Sequence, residues 1–143
     1  RYEATYPTIG FSSITNFMLE FFKSIVFGQS QFATRHQVEA AFAQDDVIFI
    51  DVRSRGEIIS IPDTKNWIHA PGSLFSNTLL ENAEATTQAF PAGTNKRTTP
   101  IIAYCASGMR STKAVSLLQA QGYEKVYNGD GIGHLHYLPM KQA

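Results

Sequence analysis

The chain has 143 residues, 43% of them hydrophobic and 17% charged, and its 12 basic and 12 acidic side chains cancel to a formal net charge of zero. That length and balance suit one globular domain with enough apolar material for a core. The lack of an overall positive field argues against nucleic acid or an anionic membrane as a partner drawn by bulk charge.

A single cysteine, Cys105, excludes an intrachain disulfide and a cysteine-based zinc site. It leaves two readings, a buried small apolar residue or a reactive thiol. The sequence begins at Arg1 rather than methionine, so a processed or trimmed start is compatible, and cytoplasmic and exported (periplasmic) settings both fit.

Taken in chain order, Ile14, Phe17, Met18, Phe21, Phe22 and Ile25 fall at helical spacing and predict one amphipathic helix within an N-terminal extension, residues 1–30. It is too short for a membrane span, which takes about 20 apolar residues. Packing onto the domain, a dimer contact and a membrane-surface helix remain open for it. Gly28 to Ala33 reads as a linker, and Thr34 with Gln37 forms a capping-box signature that predicts a helix over about residues 35–43.

Val47 to Ile50 and Ile101 to Tyr104 are continuous apolar runs, the first ending in Asp51 and the second in Cys105. Runs apolar on both faces suit central parallel strands, whose polar endings then share one rim. Between them the sequence predicts a loop holding Pro62, Pro71 and Gly72, a helix over about residues 77–89, and a turn-rich stretch from Pro91 to Pro100. A helix from Ser111 to Gln121 should stop at Gly122, a suitable left-handed cap. Lys125 to Tyr127 reads as a short strand, residues 128–133 as a flexible loop, and the remaining tail as compatible with helix. Strands alternating with helices imply an α/β domain with a mostly parallel central sheet flanked by helices on both faces.

The chemistry concentrates where a buried strand runs into Cys105-Ala106-Ser107-Gly108-Met109-Arg110-Ser111. Ligands of open parallel sheets bind beyond the carboxyl ends of the strands, which is where Cys105 falls. The positive end of the following helix and the Arg110 guanidinium should both favour thiolate, giving an accessible nucleophile. If the loop curls, the backbone N–H groups from Ala106 through Ser107, Gly108 and Met109 to Ser111 converge above the sulfur as an anion nest, with the Ser107 and Ser111 hydroxyls as further donors.

From about Gln31 to Met140 the residues resemble a single-domain rhodanese, a thiosulfate-type sulfurtransferase. The resemblance rests on Asp51-Val52-Arg53 with Glu57 downstream, on His69-Ala70-Pro71-Gly72, on the strand and loop from Ile101 to Ser111, and on Tyr127-Asn128 with Gly131, all in the family's order. It implies a rhodanese-like domain over residues 31–143. It also implies a persulfide mechanism: Cys105 attacks the outer sulfur of an anionic donor such as thiosulfate, holds it, and yields it to a thiol, cyanide or protein acceptor. Cys105 and Arg110 would be the catalytic pair and Ala106, Ser107, Gly108, Met109 and Ser111 the substrate-binding loop.

No metal or organic cofactor is implied. Glutathione persulfide, mercaptopyruvate and protein donors stay open, and so does a persulfide relay or partner-binding role. The cysteine-based phosphatases that resemble rhodaneses in fold carry a longer loop between cysteine and arginine, suited to phosphate, so phosphatase or arsenate reductase activity is the weaker reading.

Asp51 and Arg53 are expected to brace the rim, with Glu57 as a partner for Arg53, and His69 to serve as a structural hydrogen-bonder. His36, His134 and His136 lack a cluster at metal spacing. Trp67 should pack at the edge of the core.

Overall fold

Ile48, Phe49 and Ile50 have no solvent exposure on either face, so β1 (Ile48–Asp51) can only be a central strand. The structure, a computed structural model, describes residues 32–143. The predicted helix between Ile14 and Ile25 lies outside the described residues.

Strand β1 pairs in parallel with β3 (Asn66–His69) on one side and with β4 (Ile101–Cys105) on the other. Strand β5 (Val126–Gly131) adds in parallel to β4, giving the order β3-β1-β4-β5. Two short strands, β2 (Ser60–Pro62) and β6 (Met140–Gln142), form a separate antiparallel pair.

Helices cover both faces, as the sequence predicts. On one face α1 (Arg35–Phe42) lays Val38 and Ala41 against Phe49, Ile102 and Tyr104. On the other, α2 (Thr78–Glu81) and α4 (Met109–Ala120) contribute Leu80, Ala114 and Leu118 to a core with Ile48, Ile50, Ile101 and Ala103, and α3 (Ala83–Ala89) buries Thr86. The capping box of α1 is formed in both directions, Gln37 N–H donating to Thr34 Oγ1 and Thr34 N–H to Gln37 Oε1. Helix α4 ends in a Schellman motif: Gly122 at φ +95° donates to Gln119 O while Tyr123 N–H reaches Leu118 O.

Five segments depart from the sequence reading. The helix expected over residues 77–89 is two short helices, because the Asn82 side chain accepts from Ala85 N–H and restarts the chain as a fresh cap. Helix α4 starts two residues earlier than expected, at Met109. The stretch between Glu57 and Pro71, read as part of the loop, holds β2 and β3, which are only three and four residues long and carry no strong periodicity.

Residues 128–131, expected to be flexible, belong to β5. Their glycines mark close packing instead of mobility. A Cβ on Gly129 would sit 2.9 Å from the Ile102 side chain, and one on Gly131 would collide with the Ala106 carbonyl oxygen. The tail after Gly131 makes a short 3-10 turn, Ile132–Leu135, before ending in β6 rather than in a helix.

Candidate active site

Strand β4 delivers Cys105 to the carboxyl edge of the sheet, and the chain turns there through Gly108, at φ +91°, directly into α4. A side chain at Gly108 is excluded twice, by that left-handed backbone and by the Asp130 carboxylate, which a Cβ would strike. This tight turn curls the loop over the sulfur.

Gly108 N–H donates to Cys105 Sγ at 2.9 Å, and the backbone N–H groups of Ser107 and Ser111 also reach it. The Ser111 hydroxyl lies 3.6 Å from the sulfur, where the thiol donates to it and a thiolate accepts from it. Burial alone pushes the thiol up. The Ser111 hydroxyl and the three backbone donors together outweigh burial and bring it below the ordinary thiol value.

The loop N–H groups that reach the sulfur are therefore those of Ser107, Gly108 and Ser111. Ala106, Ser107 and Met109 are exposed. Cys105 differs from expectation in one respect, since it is buried to 0% exposure beneath its own loop rather than open to solvent.

Arg110 is held by a residue the sequence reading assigned elsewhere. Glu57 grips its Nη1 and Nη2 at 2.7 and 2.8 Å, a bidentate pair at the rim. The Arg110 guanidinium and the Ser54 side chain and N–H hold the Glu57 carboxyl far below the usual carboxylate range.

Arg53 takes Asp51 as its partner instead. Its N–H and Nε donate to Oδ1 at 3.0 and 2.9 Å, its Nη2 to Oδ2 at 2.7 Å, and the same Nη2 to Ser60 O at 2.9 Å. Spacing explains the exchange: Arg53 sits two residues past Asp51 and folds back on it, while Glu57 lies on the 3-10 turn Arg55–Glu57, which presents it to the loop.

Asp51, Arg53 and His69 belong to a network that includes Tyr104, whose hydroxyl donates to Asp51 Oδ2 at 2.8 Å and accepts from Trp67 Nε1 at 2.8 Å. Burial, with the Asp51 carboxylate beside it, pushes the Tyr104 hydroxyl well above its ordinary value and keeps it a donor. His69 Nε2 lies 2.7 Å from Arg53 O; a carbonyl only accepts, so the proton sits on Nε2. Its ring stacks on Trp67 with centroids 5.8 Å apart.

Successive residues of a strand point to opposite faces, so Tyr104 and this network lie across the sheet from the Cys105 side chain. Tyr104 packs with Phe49 and Ile102, and Cys105 packs with Ile50 and Ala103. The network braces the strand ends rather than meeting the sulfur.

One site residue escaped the sequence reading as such. Asn128 Oδ1 accepts from the Ser111 hydroxyl at 2.7 Å and from Asp130 N–H at 3.0 Å, and its Nδ2 donates to Thr112 Oγ1 at 3.0 Å. Asn128 thereby positions the hydroxyl beside the sulfur. In sequence it stood in an Asn-Gly pair, which reads as a turn.

Residues 34–131 match the rhodanese-like domain family. The chain belongs to that family. No curated protein matches the sequence. Among solved structures, a rhodanese from E. coli is 23% identical, with 68% of this chain and 99% of that one covered and a TM-score of 0.50. The polysulfide-sulfur transferase homodimer of Wolinella succinogenes is 20% identical, covering 85% of this chain and 88% of its own at a TM-score of 0.56. A rhodanese-like domain from an Anabaena species is 16% identical, with 80% and 81% covered and a TM-score of 0.51. At these identities the likeness is one of fold, and the rhodanese fold agrees with the sheet order and the two helical layers described above.

Among the described residues, no group of three or more histidine, cysteine, aspartate or glutamate side chains could hold a metal ion. No described helix is long and apolar enough to cross a membrane.

Proposed function

We propose that this rhodanese-like domain is a sulfurtransferase that carries a sulfane sulfur on Cys105, from an anionic donor of the thiosulfate type to a thiophilic acceptor such as a thiol, cyanide or a protein. The observation that carries the reading is the lone cysteine at the carboxyl edge of the sheet, with Gly108 N–H at 2.9 Å from its sulfur and the Ser111 hydroxyl beside it.

The Cys105 thiolate attacks the outer sulfur of the donor, the donor's sulfur–sulfur bond breaks, and the leaving group departs with that electron pair. Thiosulfate leaves as sulfite. Cys105 then bears a persulfide, and the negative charge moves onto the outer sulfur. The loop amides are fixed before the reaction, so they stabilise anionic sulfur without rearranging. A chain with one cysteine has no internal thiol to displace the persulfide as a disulfide, and the acceptor must come from outside. Because Cys105 is buried in this conformation, donor entry requires the loop or the rim to open.

Thiocyanate release from thiosulfate and cyanide tests the reading, with Cys105→Ser run alongside. Release by the wild type and its loss by roughly a thousandfold or more in Cys105→Ser is the expected result. Equal release by both proteins would remove Cys105 from the mechanism.

A further inference from the structure

Arg110 and Arg53, the two arginines of the site and its rim, already have carboxylate partners. Glu57 engages the two terminal nitrogens of Arg110. Arg53 is 2% exposed and spends its donors on Asp51 and on Ser60 O.

A second carboxylate flanks the same loop: Asp130 Oδ1 lies against Gly108, while its Oδ2 pairs with His134 Nδ1 at 3.0 Å. Between Cys105 and Arg110 there is no charged side chain. The exposed Arg55 and half-buried Lys113 offer only screened attraction from neighbouring surface.

Large apolar side chains stand exposed among the polar residues of the segments that leave the carboxyl edge of the sheet. Among the described residues the exposed large hydrophobic side chains are Ile59, Leu74, Phe75 and Met109, with Phe75 84% and Met109 57% exposed. Ile59, Leu74 and Phe75 lie on the segments that follow β1 and β3, and Met109 is the first residue of α4, within the Cys105–Ser111 segment that follows β4. Met109 stands inside the catalytic loop itself. Ile59 is two residues beyond Glu57, the residue that clasps the loop through Arg110.

We infer that this site selects a singly charged sulfur donor with an apolar leaving group over a dianion such as thiosulfate, and that Glu57 sets the preference by occupying Arg110. The inference rests on the sulfurtransferase reading and names its substrate class. A second negative charge on the donor finds the Arg110 guanidinium already paired with Glu57 and the Asp130 carboxylate against the loop, whereas an apolar group meets Met109. The loop amides serve the one charge that every such donor carries on its outer sulfur.

Benzenethiosulfonate and thiosulfate make a matched pair of probes, since both present an outer sulfur on a sulfonyl sulfur. One carries a phenyl group where the other carries a second anionic oxygen. With the first, Cys105 thiolate forms the persulfide as the sulfur–sulfur bond breaks and benzenesulfinate leaves; cyanide then removes the outer sulfur as thiocyanate and restores the thiolate. Charge and atoms balance in both steps.

The experiment measures kcat/KM for thiocyanate formation with each donor, normalised to that donor's rate with a free thiol, for wild type, Glu57→Gln and Met109→Lys. Wild type should favour benzenethiosulfonate by about tenfold or more, and each substitution should move the ratio toward thiosulfate by about tenfold, the scale of one hydrogen bond to a charged group. Met109→Lys keeps the test informative if Glu57→Gln disturbs the loop.

A wild type that favours thiosulfate overturns the inference and leaves the sulfurtransferase reading standing. A ratio that neither substitution moves overturns the part given to Glu57 and Met109. Activity with neither donor removes the underlying reading and the inference with it.

Discussion

Strand β4 presents two neighbouring residues to two different environments. On the Tyr104 side, a buried carboxylate and a buried guanidinium pair with each other, Arg53 Nη2 also reaches Ser60 O, and the Tyr104 hydroxyl and Trp67 Nε1 donate to fixed acceptors. On the Cys105 side the sulfur has neutral donors, the backbone N–H groups of Ser107, Gly108 and Ser111 and a hydroxyl that serves Asn128 at 2.7 Å and stands 3.6 Å from the sulfur. The first arrangement ties ionised groups to one another in the core. The second holds its amides in place and leaves a hydroxyl that can turn from Asn128 toward the charge that develops. Charge locked into pairs holds this domain together, and unpaired dipoles are left for the chemistry.

Breaking the locked side should have the largest effect. Asp51→Ala strands Arg53 as a buried unpaired charge and should cost about 3–5 kcal/mol of stability, read as the shift in denaturant midpoint. A change under about 1 kcal/mol would mean that the network is not under load.

Tyr104→Phe removes a hydrogen bond to the same carboxylate and leaves Trp67 Nε1–H without its acceptor, for an expected loss of about 1.5–3 kcal/mol. The comparison sharpens if this variant unfolds earlier yet still forms the Cys105 adduct at low denaturant.

Disturbing the reactive side should tell mainly on rate. Gly131→Ala drives a Cβ into the Ala106 carbonyl and displaces the loop, so sulfur transfer should fall by roughly 10–100-fold, the scale of a small misplacement of reacting groups. Transfer at the wild-type rate would show that the loop tolerates the shift.

The smallest effect expected is on pH dependence. Cys105 titrates below an ordinary thiol, so its alkylation rate, plotted against pH, should have its midpoint below that of a free cysteine. Ser111→Ala removes the leading stabilising donor and should move that midpoint up. The sign follows for stability as well: a lowered acid contributes stability above its unfolded value, and that contribution fades as pH falls through the folded one.

The sequence exposed what depends on local pattern. Apolar runs marked β1 and β4, Thr34 with Gln37 marked the start of α1, and Gly122 marked the end of α4. Elements that depend on distant partners were not legible. Strand β3 is an edge strand made by pairing with β1, and β6 exists because β2 lies alongside it.

The same divide runs through the site. Cys105 and its loop could be read from adjacent residues. The exchange of partners between Arg53 and Glu57 could not, because the Arg110–Glu57 contact spans 53 positions and is settled only when the 3-10 turn meets the loop. Asn128 and Gly131 carried turn-like residue types whose real cause is close approach to the loop. Composition alone could not distinguish flexibility from that constraint.

The most direct test of the account is the intact mass of the protein after exposure to a sulfane-sulfur donor and removal of excess reagent. One added sulfur atom on the wild type, stripped by cyanide and missing from Cys105→Ser, is the result expected of a Cys105 persulfide. An unchanged wild-type mass with both thiosulfate and benzenethiosulfonate, or an adduct that persists in Cys105→Ser, would contradict it.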